Sequence, residues 1–221
     1  MSPHPRRRSA ARRKRPAAAL GSRALGLILA LGLAFTGCAA TFDPTGPCTA
    51  NGSAPGAYPD LEAALPTSFR GAGPADLDSG RACTPDGLGT LAGHGVDEMR
   101  FAGATWTTAT DSGLSLAVFV DPTGPSLTRD WIVEFYETGA RAGKNVTSVE
   151  TTDYSVGPAE ARRIDVLNRE SFQSVVVWEQ DGRVAVALVA DFIREIQTKE
   201  AHDAVVREAV DALGRLGARP A

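Results

Sequence analysis

The chain has 221 residues, of which 43% are hydrophobic and 22% charged, and a formal net charge of −3. Eight of its 23 Lys and Arg precede Cys38 without a single acidic residue among them, so the remainder sets fifteen basic against 26 acidic residues, a net charge of −11. That balance excludes a basic groove for nucleic acid and electrostatic docking on anionic lipid headgroups. It fits a soluble acidic surface.

The first element is an export signal. Basic residues run from Arg6 through Lys14 to Arg23, an apolar stretch of 13 residues follows from Ala24 to Thr36, and Gly37 precedes Cys38. A bilayer-spanning helix needs roughly 20 residues, and extending this one backwards meets Arg23, Pro16 and Arg15. The segment therefore reads as a cleaved signal rather than an anchor. Thr36-Gly37-Cys38 resembles the lipobox of bacterial lipoproteins. The resemblance implies removal of residues 1–37, a diacylglycerol on the Cys38 thiol, and a location on the outer face of the cell membrane, with the membrane as partner through that lipid. Phe35 stands where the family prefers Leu, and cleavage without lipid is the competing reading. Arg7-Arg8-Ser9-Ala10 lacks the apolar residues that follow a twin-arginine pair.

With Cys38 as lipid acceptor, Cys48 and Cys83 remain, and an oxidising compartment joins two such cysteines as a disulfide. A zinc tetrahedron would need further ligands that neither has nearby. Residues 38–57, rich in Pro, Gly, Ala, Thr and Ser as in Asp43-Pro44-Thr45-Gly46-Pro47, read as a flexible membrane tether. Residues 58–221 then form a single domain.

Within that domain, Asp60-Leu61-Glu62-Ala63-Ala64-Leu65 opens a short helix within 58–71, and a second runs from Thr84 to Leu91 with Pro85 in its first turn. Strands follow over 96–106 and 114–120, where Leu114, Leu116, Val118 and Val120 alternate. A helix runs over 128–142, N-capped by Thr128, with Trp131 and Phe135 on one face. Strands are expected over 146–154, 161–167, 174–178 and 184–190. Asp181-Gly182 joins the last two as a tight hairpin, and the all-apolar run Val175 to Val177 predicts cover on both sides. A final helix over 199–216 places Val205, Ala209, Leu213 and Leu216 in one stripe. The predicted fold is α+β, a mostly antiparallel sheet of about six strands covered by two main helices, with short N-terminal helices. The element order over 96–216 resembles the Mog1/PsbP-like fold of some secreted bacterial lipoproteins. The resemblance lies in that order and not in a motif, and it implies a protein-binding or accessory domain rather than an enzyme.

Catalytic signatures are weak. There is no Gly-x-Ser-x-Gly elbow, phosphate-binding loop or paired-histidine zinc motif. Asp78-Ser79-Gly80 reads as turn chemistry, and Asp76 with Asp78 lacks the later spacing of a calcium loop. His94 reads as a loop residue between glycines, His202 as part of a solvated helix face, and Glu134 with Glu137 as outer-face charges. Binding candidates are Trp106 and Trp178 at strand ends, where tryptophan offers area and a polar edge, and Arg163. One of Arg162 and Arg163 must point to each side of its strand, and the inward one needs an acidic partner or an anionic ligand. No cofactor, metal or catalytic residue is expected. The expected function is a non-catalytic binding or accessory lipoprotein whose partner is an envelope protein or a small apolar ligand. The alternatives are a structural component of an envelope complex and, less well supported, a hydrolase of cell-wall or secreted substrates.

Overall fold

The computed structural model of the chain describes residues 42–108, 112–124 and 126–214. Cys38 and Leu216 lie outside the described residues.

A single eight-stranded antiparallel sheet organises the molecule, in the order β1-β2-β3-β4-β8-β7-β6-β5. Its strands are β1 (Gly52–Ala54), β2 (Asp76–Ala82), β3 (Met99–Thr107), β4 (Gly113–Val120), β5 (Val146–Val156), β6 (Ala159–Asn168), β7 (Ser171–Gln180) and β8 (Arg183–Phe192). The helices are α1 (Pro59–Glu62), α2 (Pro85–Leu88), α3 (Arg129–Arg141) and α4 (Lys199–Gly214). After β4 the chain crosses one face as α3, enters the far edge as β5, and returns by three consecutive hairpin pairings until β8 closes on β4. Each turn has its chemistry: Gly157 lies at φ +56, and Asp181 and Gly182 at +52 and +73, the left-handed pair that a two-residue hairpin requires.

Both faces of the sheet are covered. Against one, Val205, Val206, Ala209 and Val210 of α4 pack on Leu116, Val176, Trp178, Ala187 and Val189, while Leu61, Leu65 and Phe69 extend the cover over β3 and β4. Against the other, Ile132 and Val133 of α3, with Leu88, Leu91 and Val96, pack on Phe119, Ile164, Val175, Val177 and Val186. Thr128 caps α3 as expected, its Oγ1 accepting from Trp131 N at 3.3 Å.

The expectation of six strands under two main helices is overturned. The sheet has eight strands and four helices flank it, α1 and α4 on one face and α2 and α3 on the other. The two strands missed are β1 and β2. The Asp78-Ser79-Gly80 triplet is not a turn but the middle of β2, paired with Ser53, Ala54 and Phe101 to Gly103. Turn-forming residue types are tolerated there because pairing on both sides supplies what propensity lacks. Gly80 is needed for a second reason: a side chain at that position would run into the Gly52 carbonyl, Ser53 and the Phe101 ring.

Residues 42–57, assigned by composition to the tether, are bound to the domain. The Arg81 guanidinium, 6% exposed, donates to the carbonyls of Gly46 (2.8 Å), Asp43 (3.1 Å) and Pro47 (3.0 Å) and lies over the Phe42 ring. Asn51 Oδ1 accepts from Cys83 N (2.8 Å) and Thr84 N (3.1 Å), and β1 pairs with β2. The Cys48–Cys83 disulfide joins the same two segments with their Cα atoms 5.5 Å apart. Composition misses this because the segment is ordered by carbonyls and one arginine, not by apolar burial.

Gly80→Val is expected to separate β1 from β2 and to lower stability by about 1–3 kcal/mol through overpacking; a urea midpoint equal to that of the parent would refute the close approach. Cys48→Ser is expected to cost roughly 2–5 kcal/mol without reductant. The two proteins should then melt together once reductant is present.

Candidate functional site

Of the candidate binding residues, the structure puts both tryptophans in the core. Trp178 is fully buried among α4 and the sheet, its Nε1 donating to Gln180 Oε1 at 3.2 Å. Trp106, 3% exposed, donates from Nε1 to the Ala72 carbonyl at 3.1 Å and packs on Phe69. Neither offers a face to a partner. Trp131, on one face of α3 with Phe135, is only partly buried and stacks on His94 with ring centroids 4.7 Å apart. His94 Nε2 meets Glu134 Oε2 at 2.7 Å, so these three form a surface clip between α3 and the turn before Gly95. Glu137 is turned instead to Thr151 and Arg141, and the two glutamates make no common site.

Arg163 leads to a cluster of buried polar side chains drawn from four elements. Strand alternation sends Arg162 to one face, where it pairs with Asp153 at 2.5 Å, and Arg163 to the other. Asp165, two residues on, shares the face of Arg163, and cross-strand register places Ser174 of β7 opposite Asp165. Asp191 lies at the end of β8 beside Phe172. Residues Lys199, His202 and Asp203, spaced as i, i+3 and i+4, project from the first turns of α4 onto this group.

Their contacts are specific. Arg163 Nε donates to Asp165 Oδ1 at 2.8 Å, and its Nη2 donates to Ser174 Oγ at 3.1 Å and to Asp203. Lys199 Nζ donates to both carboxylate oxygens of Asp203, at 3.0 and 3.1 Å. His202 Nε2 lies 2.8 Å from Ser174 Oγ, and its Nδ1 lies 2.6 Å from Asp191 Oδ2. Burial raises the Asp203 carboxyl, but the hydrogen bonds and charge of Arg163 and Lys199 outweigh it and hold the group below the usual carboxylate range. Burial likewise opposes the Arg163 charge, and Asp203 and Asp165 outweigh that too.

Ser174, His202 and Asp191 have the connectivity of a nucleophile, a base and an orienting acid. Two observations stand against that chemistry. All three are sealed, with exposures of 0%, 2% and 0%. The Ser174 hydroxyl also donates to Asp165, so its proton is directed away from the histidine that would have to accept it. What the arrangement does is fix the register and tilt of α4 on β6, β7 and β8. Asp191 Oδ1 is buried without a hydrogen-bond partner among the described residues, a cost of about 1–3 kcal/mol that the paired oxygen must offset.

The assignment of His202 to a solvated face is therefore corrected. The signal that could have found it is the helix period, since residue 202 continues the stripe of Val205, Val206 and Ala209 backwards by one turn. Neighbouring Glu200 and Asp203 masked it.

A folded carboxyl held below its unfolded range contributes stability that is present above the unfolded value and lost as pH falls through the folded one, below about pH 4. Asp203→Asn is expected to lower stability at neutral pH by on the order of 1–3 kcal/mol and to flatten the acid limb of stability against pH. An acid limb as steep as that of the parent would show that the pair is not linked to folding. In comparisons with known proteins, no family model, no curated protein and no solved structure matches this chain.

Proposed function

We propose that the protein is an extracytoplasmic lipoprotein, held on the outer face of a bacterial membrane by acyl chains on Cys38, and that its folded domain is a non-catalytic binding or accessory module. The observation that carries this reading is the Cys48–Cys83 disulfide, because such bonds persist in oxidising compartments outside the cytoplasm. The basic head, apolar run and Thr36-Gly37-Cys38 of the sequence agree with it. No helix among the described residues is long and apolar enough to cross a membrane. More than one acyl chain gives stable attachment where a single chain is marginal.

The non-catalytic part of the reading draws on Ser174, whose hydroxyl is sealed and bonded to Asp165. The choice of partner draws on the two sheet–helix layers, whose facing side chains are buried against one another. That packing favours a protein of the envelope over a small apolar ligand held between sheet and helix. The groove of about 380 Å³ between Ser68–Arg70 and Glu208–Ala212 lies at the outer rim of that packing, bridged by the Arg70–Glu208 ion pair.

Cys38→Ala is expected to move the protein from the detergent phase to the aqueous phase, or to leave it as unprocessed precursor. A variant that still partitions fully processed into detergent would overturn the anchor. A fluorophosphonate probe is expected to leave Ser174 unlabelled in the native protein; stoichiometric labelling at Ser174 would establish a hydrolase instead.

A further inference from the structure

We infer that the β1–β2 edge of the sheet is the membrane-facing edge of the domain, held at the lipid headgroups by a leash too short to let it stand off, with the β5 edge turned outward. The inference rests on lipidation of Cys38 as proposed above and goes beyond it by fixing an orientation.

Three residues, 39–41, separate Cys38 from Phe42. From Phe42 onward the chain belongs to the domain: Arg81 holds the carbonyls of Asp43, Gly46 and Pro47, and the Cys48–Cys83 bond closes the same segment onto the end of β2. The Phe42 ring also fills the space over Gly52, where a side chain would collide with it. Four residue steps at full extension reach about 14 Å. A headgroup layer is itself about 5–7 Å deep, so the leash is spent within a few ångströms of the bilayer surface. A free tether over 38–57 would have a root-mean-square reach of about 25 Å and would leave the orientation of the domain open.

The surface next to the leash suits a headgroup layer. Thr45, Pro47, Thr49 and Ala50 are exposed, short and uncharged, without an apolar wedge that would enter the acyl region, and Asp43 is the one exposed charge among residues 43–50. At the other extreme, β5 lies seven strand spacings from β1, roughly 34 Å away. The net charge of −11 after Cys38 opposes laying the sheet flat on an anionic leaflet. A short leash at one edge and like-charge repulsion of the domain as a whole stand the sheet on its β1–β2 edge.

The test uses the processed full-length protein in vesicles of phosphatidylethanolamine and phosphatidylglycerol that carry an energy acceptor on the headgroups. A fluorescent amino acid replaces Ala50 in one preparation and Ser155 in another. Energy transfer is expected to be several-fold stronger from position 50 than from position 155. Inserting a Gly/Ser segment as long as residues 38–57 after Thr41 is expected to abolish that difference. Equal transfer from the two positions with the native leash, or transfer from position 50 that the insertion leaves unchanged, would overturn the orientation. The intact mass of the same protein reads the acyl chains separately. A mass without them defeats the lipoprotein reading, whereas an acylated protein with equal transfer defeats the orientation alone.

Discussion

The β7–β8 hairpin is buried on both of its faces, and the rest of the architecture answers that constraint. Val175, Val177, Val184 and Val186 point to one side and Val176, Trp178, Ala185, Ala187 and Val189 to the other, all at exposures of 0–4%. A valine fully removed from water contributes about 1.5–3 kcal/mol, so a hairpin of this composition is stable only with a layer on each side. The chain provides them in the order the topology allows. Along the chain, α3 covers one face ahead of the hairpin, β5 enters the sheet at the far edge, and α4 covers the second face after β8, which pairs with β4.

The two layers are held by different physics. Against α3 the contact is largely apolar, through Leu127, Ile132 and Val133 on Ile164, Val166 and Phe119. Against α4 the apolar part joins Val205, Val206, Ala209 and Val210 of the helix to Leu116, Val176, Trp178, Ala187 and Val189 of the sheet. Apolar burial is non-directional. The Arg163, Asp165, Ser174, Asp191, His202 and Asp203 contacts at the helix start supply the direction. Paired charges in a protein interior contribute little net stability against a well-packed apolar alternative, yet removing one partner leaves the other exposed to the full desolvation cost. The cluster therefore penalises every register of α4 but one. Arg70 of the neighbouring turn also meets Glu208 on the outer side of α4, but that pair is half exposed and, screened by water, contributes little.

The N-terminal edge is organised without a hydrophobic core. A single buried guanidinium gathers three carbonyls, Asn51 bridges to the backbone of residues 83 and 84, and a disulfide closes the loop. Guanidinium suits this role because its fork presents several donors in one plane. The result is that a stretch of Pro, Gly and Thr becomes part of the rigid body, and the distance between the domain and Cys38 shrinks to a few residues.

Much of this protein was legible in its residues alone. Alternation over 114–120, the Val175 to Val177 run, the Asp181-Gly182 turn, the Thr128 cap and the Cys48–Cys83 pair are local or compositional signals, and each corresponds to a feature of the structure. Local signals failed where long-range contacts outweigh propensity. Asp78-Ser79-Gly80 is a strand because β1 and β3 pair with it on either side, and residues 42–57 are ordered because Arg81, far along the chain, binds their carbonyls. Trp106 and Trp178 sit at strand ends in sequence, but whether a strand end faces solvent depends on what crosses it, here the segment bearing Phe69 and the helix α4. The polar cluster was out of reach for the same reason: Arg163, Ser174, Asp191 and His202 come from four elements, and only the pairing of β6, β7 and β8 beneath α4 brings them within hydrogen-bonding distance. The sequence by itself determined the class of the elements from β3 onward and the disulfide, because those depend on neighbours in the chain. The tertiary structure alone decided which polar groups are buried together and that residues 42–57 belong to the domain, because those depend on neighbours in space.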